Sequence, residues 1–119
     1  MVKTVLVVED DSTVLMVLED MLADQGHGVI SARSGGEALN ILGDASSQPD
    51  LLVADVRIGA GLDGWEIARC AREIAPTLPV VYVTGDSAAD WETQGVPGSR
   101  LVRKPFTDAD LADAVNALI

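Results

Sequence analysis

The side chains best equipped for chemistry are Glu9, Asp10, Asp55, Thr84 and Lys104. Each follows a short apolar run. Glu9 and Asp10 come after Thr4–Val8, Asp55 after Leu51–Ala54, Thr84 after Val80–Val83, and Lys104 just beyond Arg100–Val102. Carboxylates gathered in one place repel one another and favour a hard, oxygen-seeking cation, Mg²⁺ above all. A lysine and a threonine beside them supply what a phosphoryl group needs. The ammonium neutralises one oxygen, the hydroxyl donates to another, and the metal takes a third. A carboxylate in such surroundings can act as a nucleophile and form an aspartyl phosphate. Whether these groups meet depends on the elements that carry them.

Five runs read as strands: Thr4–Val8, Gly28–Ala32, Leu51–Ala54, Val80–Val83 and Arg100–Val102. The first, third and fourth are continuously apolar, as strands buried on both faces of a parallel sheet should be. The second and fifth carry more polar residues and belong nearer the sheet edges. Helical periodicity fills the intervals. Thr13–Gln25 offers a stripe of Val14, Val17, Leu18, Met21 and Leu22, and Gly35–Leu42 offers Ala38, Leu39, Ile41 and Leu42. Gly64–Ala75 offers Trp65, Ile67, Ala68, Ala71 and Ile74, and Asp108–Ile119 offers Leu111, Ala112, Val115, Leu118 and Ile119. Ser34 with Glu37 reads as a capping box, and Asp63 with Glu66 and Thr107 with Asp110 are close variants. Ser87 with Asp90 has the same form, but Gly95, Pro97 and Gly98 stop that helix early, leaving it short over Ser87–Glu92.

Strand and helix alternate five times in one domain spanning 1–119. Right-handed crossovers then give a three-layer α/β sandwich, a parallel sheet with helices on both faces. In such sheets functional residues gather beyond the carboxyl ends of the strands. The second strand contributes Arg33 and Ser34 there, and the fifth adds Arg103. Asp after a strand is often only a helix cap, and Asp11 or Ser12 caps the first helix. A Lys-Pro step is by itself a common turn. An acid pair, a lone Asp, a Thr and a Lys on four different strand ends are harder to explain as caps.

Composition narrows the function classes. The 119 residues are 48% hydrophobic and 23% charged, which suits one globular core. Nineteen acidic residues against eight basic ones leave a net charge of −11, a surface that repels phosphate backbones and argues against direct nucleic-acid binding. Cys70 is the only cysteine, so no internal disulfide can form, and its helical setting reads as a small buried hydrophobe. The lone His27 lies in a Gly26–Gly28 turn with no second ligand at metal spacing. The run Val5–Val8 is too short for an export signal and meets Glu9 and Asp10 at once, and no stretch approaches a membrane-spanning length. A cytoplasmic protein is expected.

Leu6-Val-Val-Glu-Asp-Asp11, Leu51-Leu-Val-Ala-Asp55, Val83-Thr-Gly85 and Lys104-Pro-Phe106 resemble the signature of response-regulator receiver domains, in that family's order and spacing. The resemblance covers essentially the whole chain. It implies a flavodoxin-like strand order, 2-1-3-4-5. It also implies roles: Glu9 and Asp10 as the acidic pair for Mg²⁺, Asp55 as phosphoacceptor, Thr84 as switch hydroxyl and Lys104 as phosphate-binding ammonium. The carbonyl of Arg57 would complete the metal shell, and Gly85 would leave room for an incoming phosphohistidine. The implied partners are a histidine kinase or histidine phosphotransfer protein and an unidentified downstream protein, with the first and fourth helices as docking faces.

Four departures from the family pattern stand out. The acid pair begins with Glu9. The loop after Asp55, Val56-Arg-Ile-Gly-Ala-Gly-Leu-Asp-Gly64, lacks the usual proline and looks about one residue longer. Arg57 places a cation near the phosphoryl group and should alter the autodephosphorylation rate. Leu101 stands where many receivers carry a switch aromatic, three residues before the lysine, which puts relay by a Tyr or Phe rotamer in doubt.

Two other classes compete. A metal-dependent phosphatase of small phosphoesters would need a general acid such as a second Asp two positions past Asp55, where Arg57 stands. A flavin-binding carrier of the same topology would need a Ser-, Thr- and Gly-rich first loop, but Glu9-Asp-Asp11 would repel its phosphate. The expected activity is therefore only self-phosphorylation and slow autodephosphorylation. A stand-alone regulator and a piece of a larger protein, such as a hybrid kinase, both remain open.

Overall fold

The computed structural model describes residues 3–59 and 61–119. Strands β1 (Thr4–Val8), β2 (Gly28–Ala32), β3 (Leu51–Asp55), β4 (Val80–Thr84) and β5 (Arg100–Arg103) form one sheet in the order β2-β1-β3-β4-β5. Every adjacent pair is parallel. Helices α1 (Ser12–Asp24), α2 (Gly35–Leu42), α3 (Gly64–Ile74), α4 (Trp91–Gln94) and α5 (Asp108–Asn116) join them, with 3-10 turns at Ala45–Ser47 and Ala88–Asp90. This is the α/β flavodoxin-like architecture expected above.

Side chains alternate across a strand, so each central strand feeds two cores. Leu6, Val8, Leu52, Ala54 and Tyr82 meet Ala38, Leu42, Ile67 and Ala71 from α2 and α3, with Trp91 and Val96 of the α4 region on the same side. Val5, Val7, Leu51, Val81 and Val83 meet Leu18, Leu22, Leu111 and Val115 from α1 and α5. Strands β3 and β4 are buried throughout, whereas β2 is half-buried and β5 partly exposed, as edge strands should be.

Local chemistry fixes the helix ends. Asp11 caps α1, its carboxylate accepting from the amides of Thr13 and Val14. At the other end Gly26 adopts φ +90, and the amides of Gly26 and His27 close onto Ala23 and Leu22. That left-handed closing residue is the reason for a glycine there. Asp63–Glu66 and Thr107–Asp110 are reciprocal capping boxes.

Several expectations need correction. Ser34 accepts from the Glu37 amide, but only this half of the expected box forms. Ser87 caps nothing with its side chain, and α4 begins only at Trp91, behind the 3-10 turn. The buried stripe of α1 is rotated toward Leu15, with Leu18 and Leu22, so Val17 is 40% exposed on the opposite face. Ile74 and Ile119, also assigned to stripes, lie exposed at or beyond the ends of α3 and α5. Cys70 is half-buried, because it sits at the flank of the α3 stripe beside Ala71. Of the loop expected to be longer, Ala60 lies outside the described residues. No helix among the described residues is long and apolar enough to cross a membrane.

Candidate phosphoacceptor site

A parallel sheet puts all its carboxyl ends on one edge. Asp55 and Thr84 are the last residues of β3 and β4, and Glu9 directly follows β1. The Glu9 amide donates to Ala32 of β2 at 3.0 Å, and the Lys104 amide donates to Thr84 of β4 at 2.8 Å, so the loops continue the sheet's own register. The loops after β1 and β4, the sheet neighbours of β3, flank Asp55, and the loop after β5 brings Lys104 in beside Thr84.

Carboxylate oxygens of Glu9, Asp10 and Asp55 lie within 4.8 Å of one another. Lys104 Nζ is 3.2 Å from Asp55 Oδ2 and 3.5 Å from Glu9 Oε1. These groups, with Arg57, Thr84, Gly85 and Asp86, line a cavity of about 420 Å³. A Cβ at Gly85 would sit 3.8 Å from that of Lys104, an ordinary contact, so a small side chain is accommodated at this edge of the cavity. The expected five side chains are thus brought together.

Electrostatics favours a divalent cation. With all three carboxylates ionised, they would outnumber the one ammonium by two charges. Glu9 is fully buried, yet neither of its carboxylate oxygens accepts a hydrogen bond. An isolated buried carboxylate is costly. Burial first, and then the hydrogen bond that a protonated Glu9 can donate to Asp55 and the charge of Asp55, push the Glu9 pKa up from 4.5 to about 8, with Lys104 opposing. For Lys104, burial acts to lower the pKa, but the charges of Asp55 and Glu9 outweigh it and hold the ammonium above its ordinary value. The all-oxygen donor set and the unserved oxygens of Glu9 suit Mg²⁺.

Arg57 departs from its simplest expectation. Its amide donates to Asp55 Oδ1 at 3.4 Å, but its guanidinium reaches across to the loop after β4, 3.0 Å from Asp86 and 3.4 Å from Ser87 Oγ. Thr84 Oγ1 accepts from the Ser87 amide at 3.0 Å.

Two contributors were not singled out from sequence, and a third, Arg33, was placed at this edge without a role. Gly64, read only as part of a capping box, packs on the end of β3 against the Asp55 backbone. A Cβ there would lie 2.4 Å from the Asp55 carbonyl oxygen, and the Gly64 amide donates to Val56 at 2.8 Å. Glycine is a poor helix former, so its place in a first turn was the available signal. Arg33 donates to the Asp10 carbonyl at 3.2 Å and to Ser12 Oγ at 2.6 Å, bracing the acidic loop. Asp86 gave no signal, because its partner lies on another loop.

Comparison with known proteins agrees with this geometry. The sequence model described as "Response regulator receiver domain" matches residues 5–116. The chain is 33% identical over 117 residues to the response regulator MprA of Mycobacterium avium, covering 97% of this chain and 50% of that protein. It is 38% identical over 84 residues to the DNA-binding transcriptional regulator NtrC of Escherichia coli, covering 71% of this chain and 17% of that protein. The chain therefore spans half or less of these curated relatives. A crystal structure of a response regulator receiver protein from Sinorhizobium medicae superposes with TM-score 0.91 at 40% identity, covering 98% of this chain and 94% of that one. The response regulator TrrA of Thermotoga maritima, solved in complex with Mg²⁺-BeF, gives TM-score 0.84 at 25% identity, covering 98% and 99%. With its fold, its acidic edge and its sequence in accord, this chain belongs to the receiver domains of two-component response regulators.

Proposed function

We propose that this domain takes a phosphoryl group on Asp55 from a histidine kinase or a histidine phosphotransfer protein in the cytoplasm. An Asp55 carboxylate oxygen attacks phosphorus. The new P–O bond forms as the P–N bond to the donor imidazole breaks, and the electron pair leaves with the nitrogen. Glu9, Asp10, Asp55 and the Arg57 carbonyl would hold Mg²⁺, which supplies charge neutralisation for the transferring oxygens. Lys104 leaves its ion pair with Asp55 for a phosphoryl oxygen, and Thr84 donates its hydroxyl to another.

The observation that carries this reading is Glu9. Glu9 is fully buried with no hydrogen bond to either oxygen, and the one ammonium near it, Lys104, lies closer to Asp55, so a further cation would complete the set. The only turnover proposed is that of the domain's own aspartyl phosphate, because Arg57 stands where a small-phosphoester hydrolase would need an acid. The phosphoryl group then biases the α4–β5 face toward a downstream protein. The net charge of −11 argues against that partner being nucleic acid.

Borohydride trapping tests the residue assignment. After treatment with acetyl phosphate and Mg²⁺, reduction should convert Asp55 alone to homoserine in a peptide map. Homoserine at position 10 or 11 instead, or nowhere, would refute it.

A further inference from the structure

Leu101 leaves β5 without the aromatic ring through which many receivers couple threonine to the fourth-helix face. The coupling must therefore be sought elsewhere, and β4 supplies it. Tyr82 and Thr84 are two residues apart on that strand, so their side chains leave the sheet on the same face. That face carries the α4 region. Each hydroxyl holds one end of the segment between Ser87 and Val96. At the entry, Thr84 Oγ1 accepts from the Ser87 amide at 3.0 Å. At the exit, the fully buried Tyr82 hydroxyl accepts from the Val96 amide at 3.0 Å.

The two ends differ in what else holds them. Arg69 of α3 donates to the backbone and side-chain oxygens of Gln94 at 3.2 Å, and Trp91 Nε1 donates to Ser99 Oγ at 3.0 Å. The Tyr82 ring is itself wedged against Trp65, with centroids 4.5 Å apart. None of these exit contacts uses a group that a phosphoryl on Asp55 would recruit. The entry contacts both do. One is the Thr84 hydroxyl. The other is Arg57, paired with Asp86 in a surface contact whose side chains are 73% and 61% exposed. Exposed pairs of this kind are weak and easily exchanged for a better anion.

Resting on the phosphoacceptor reading of Asp55, we propose that Tyr82 is the positioning residue of the switch: it retains the exit of the Ser87–Val96 segment while phosphorylation frees the entry at Thr84, so α4 pivots about Val96. The segment is suited to such motion, because α4 has only four residues and no side-chain cap.

Amide NMR and hydrogen exchange on the intact chain, with Mg²⁺ and beryllofluoride as the phosphoryl mimic, test this. In the wild type, resonances of Ser87–Asp90 should shift strongly while the Val96 amide stays protected. Tyr82→Phe removes one oxygen and keeps the ring, so it should fold. It should raise Val96 exchange roughly tenfold without beryllofluoride, the size of one lost hydrogen bond. With beryllofluoride, its response should spread through Val96 to Ser99, which a loss of general stability would not produce. Thr84→Ala should loosen Ser87 without touching Val96. Equal wild-type shifts at Ser87 and Val96, or unchanged Val96 exchange in Tyr82→Phe, would overturn the pivot alone. No response to beryllofluoride in any variant would overturn the phosphoacceptor reading and the pivot with it.

Discussion

Replacing Glu9 with Gln separates the cost of the buried carboxylate from its use. The carboxyl moves from 4.5 to about 8 on folding, first because it is buried and then because Asp55 is beside it. The folded protein therefore binds this proton more tightly than the unfolded chain does. The associated stability is fully present below about pH 4.5 and is lost as pH rises through about 8. At about 1.4 kcal/mol per pH unit the ceiling is about 5 kcal/mol, and about 4 kcal/mol of it is lost by pH 8, where the folded group is half titrated. Glu9→Gln keeps the shape and removes the titration. Urea unfolding in chelator from about pH 5 to pH 8 should show the wild type losing several kcal/mol more than the variant. Mg²⁺ at about 100 times its dissociation constant should return about 2.7 kcal/mol to the wild type at pH 8. The variant should gain far less. Parallel pH profiles, or an equal response to Mg²⁺, would refute the claim that Glu9 is a strained ligand awaiting a cation.

Gly64→Ala should destabilise the fold by about 1–3 kcal/mol or more, since its methyl would overlap the Asp55 carbonyl, and should also slow phosphorylation. Urea unfolding and adduct formation check the two effects. Arg57→Ala removes an exposed ion pair and should change stability by less than about 1 kcal/mol while shortening the phosphoryl lifetime, because it uncovers the mouth of the site. Asp86→Ala, which frees the guanidinium, should lengthen that lifetime. Decay of the phosphorylated protein measures both, and unchanged lifetimes would remove Arg57 from the account. Lys104→Met leaves Glu9 and Asp55 without their cation, so in chelator it should lose more stability at pH 8 than at about pH 5.

The strands and the site's membership were legible in sequence because each rests on a local signal. Runs such as Leu51–Ala54 and Val80–Val83 are apolar without interruption, and the polar residue that ends each run lands at the sheet edge. The α1 stripe was misjudged at two positions, because Val17 is as apolar as Leu15 and only the packing of α1 against β1 and α5 decides that Leu15 is covered and Val17 is not, while Val14 and Met21 do pack on the core. The true bounds of α4 were hidden because hydroxyls of Thr84 and Tyr82, not a local cap, hold that segment. The Arg57–Asp86 pair joins two loops that neither period nor spacing relates. The close approach of Gly64 to Asp55 likewise exists only once β3 and α3 are packed.

Phosphorylation of Asp55 is read directly by intact mass after incubation with acetyl phosphate and Mg²⁺, beside a metal-free control and Asp55→Asn. One phosphoryl adduct is expected on the wild type, absent without metal and absent in Asp55→Asn. An adduct that persists in Asp55→Asn, or none on folded protein that binds Mg²⁺, would contradict it.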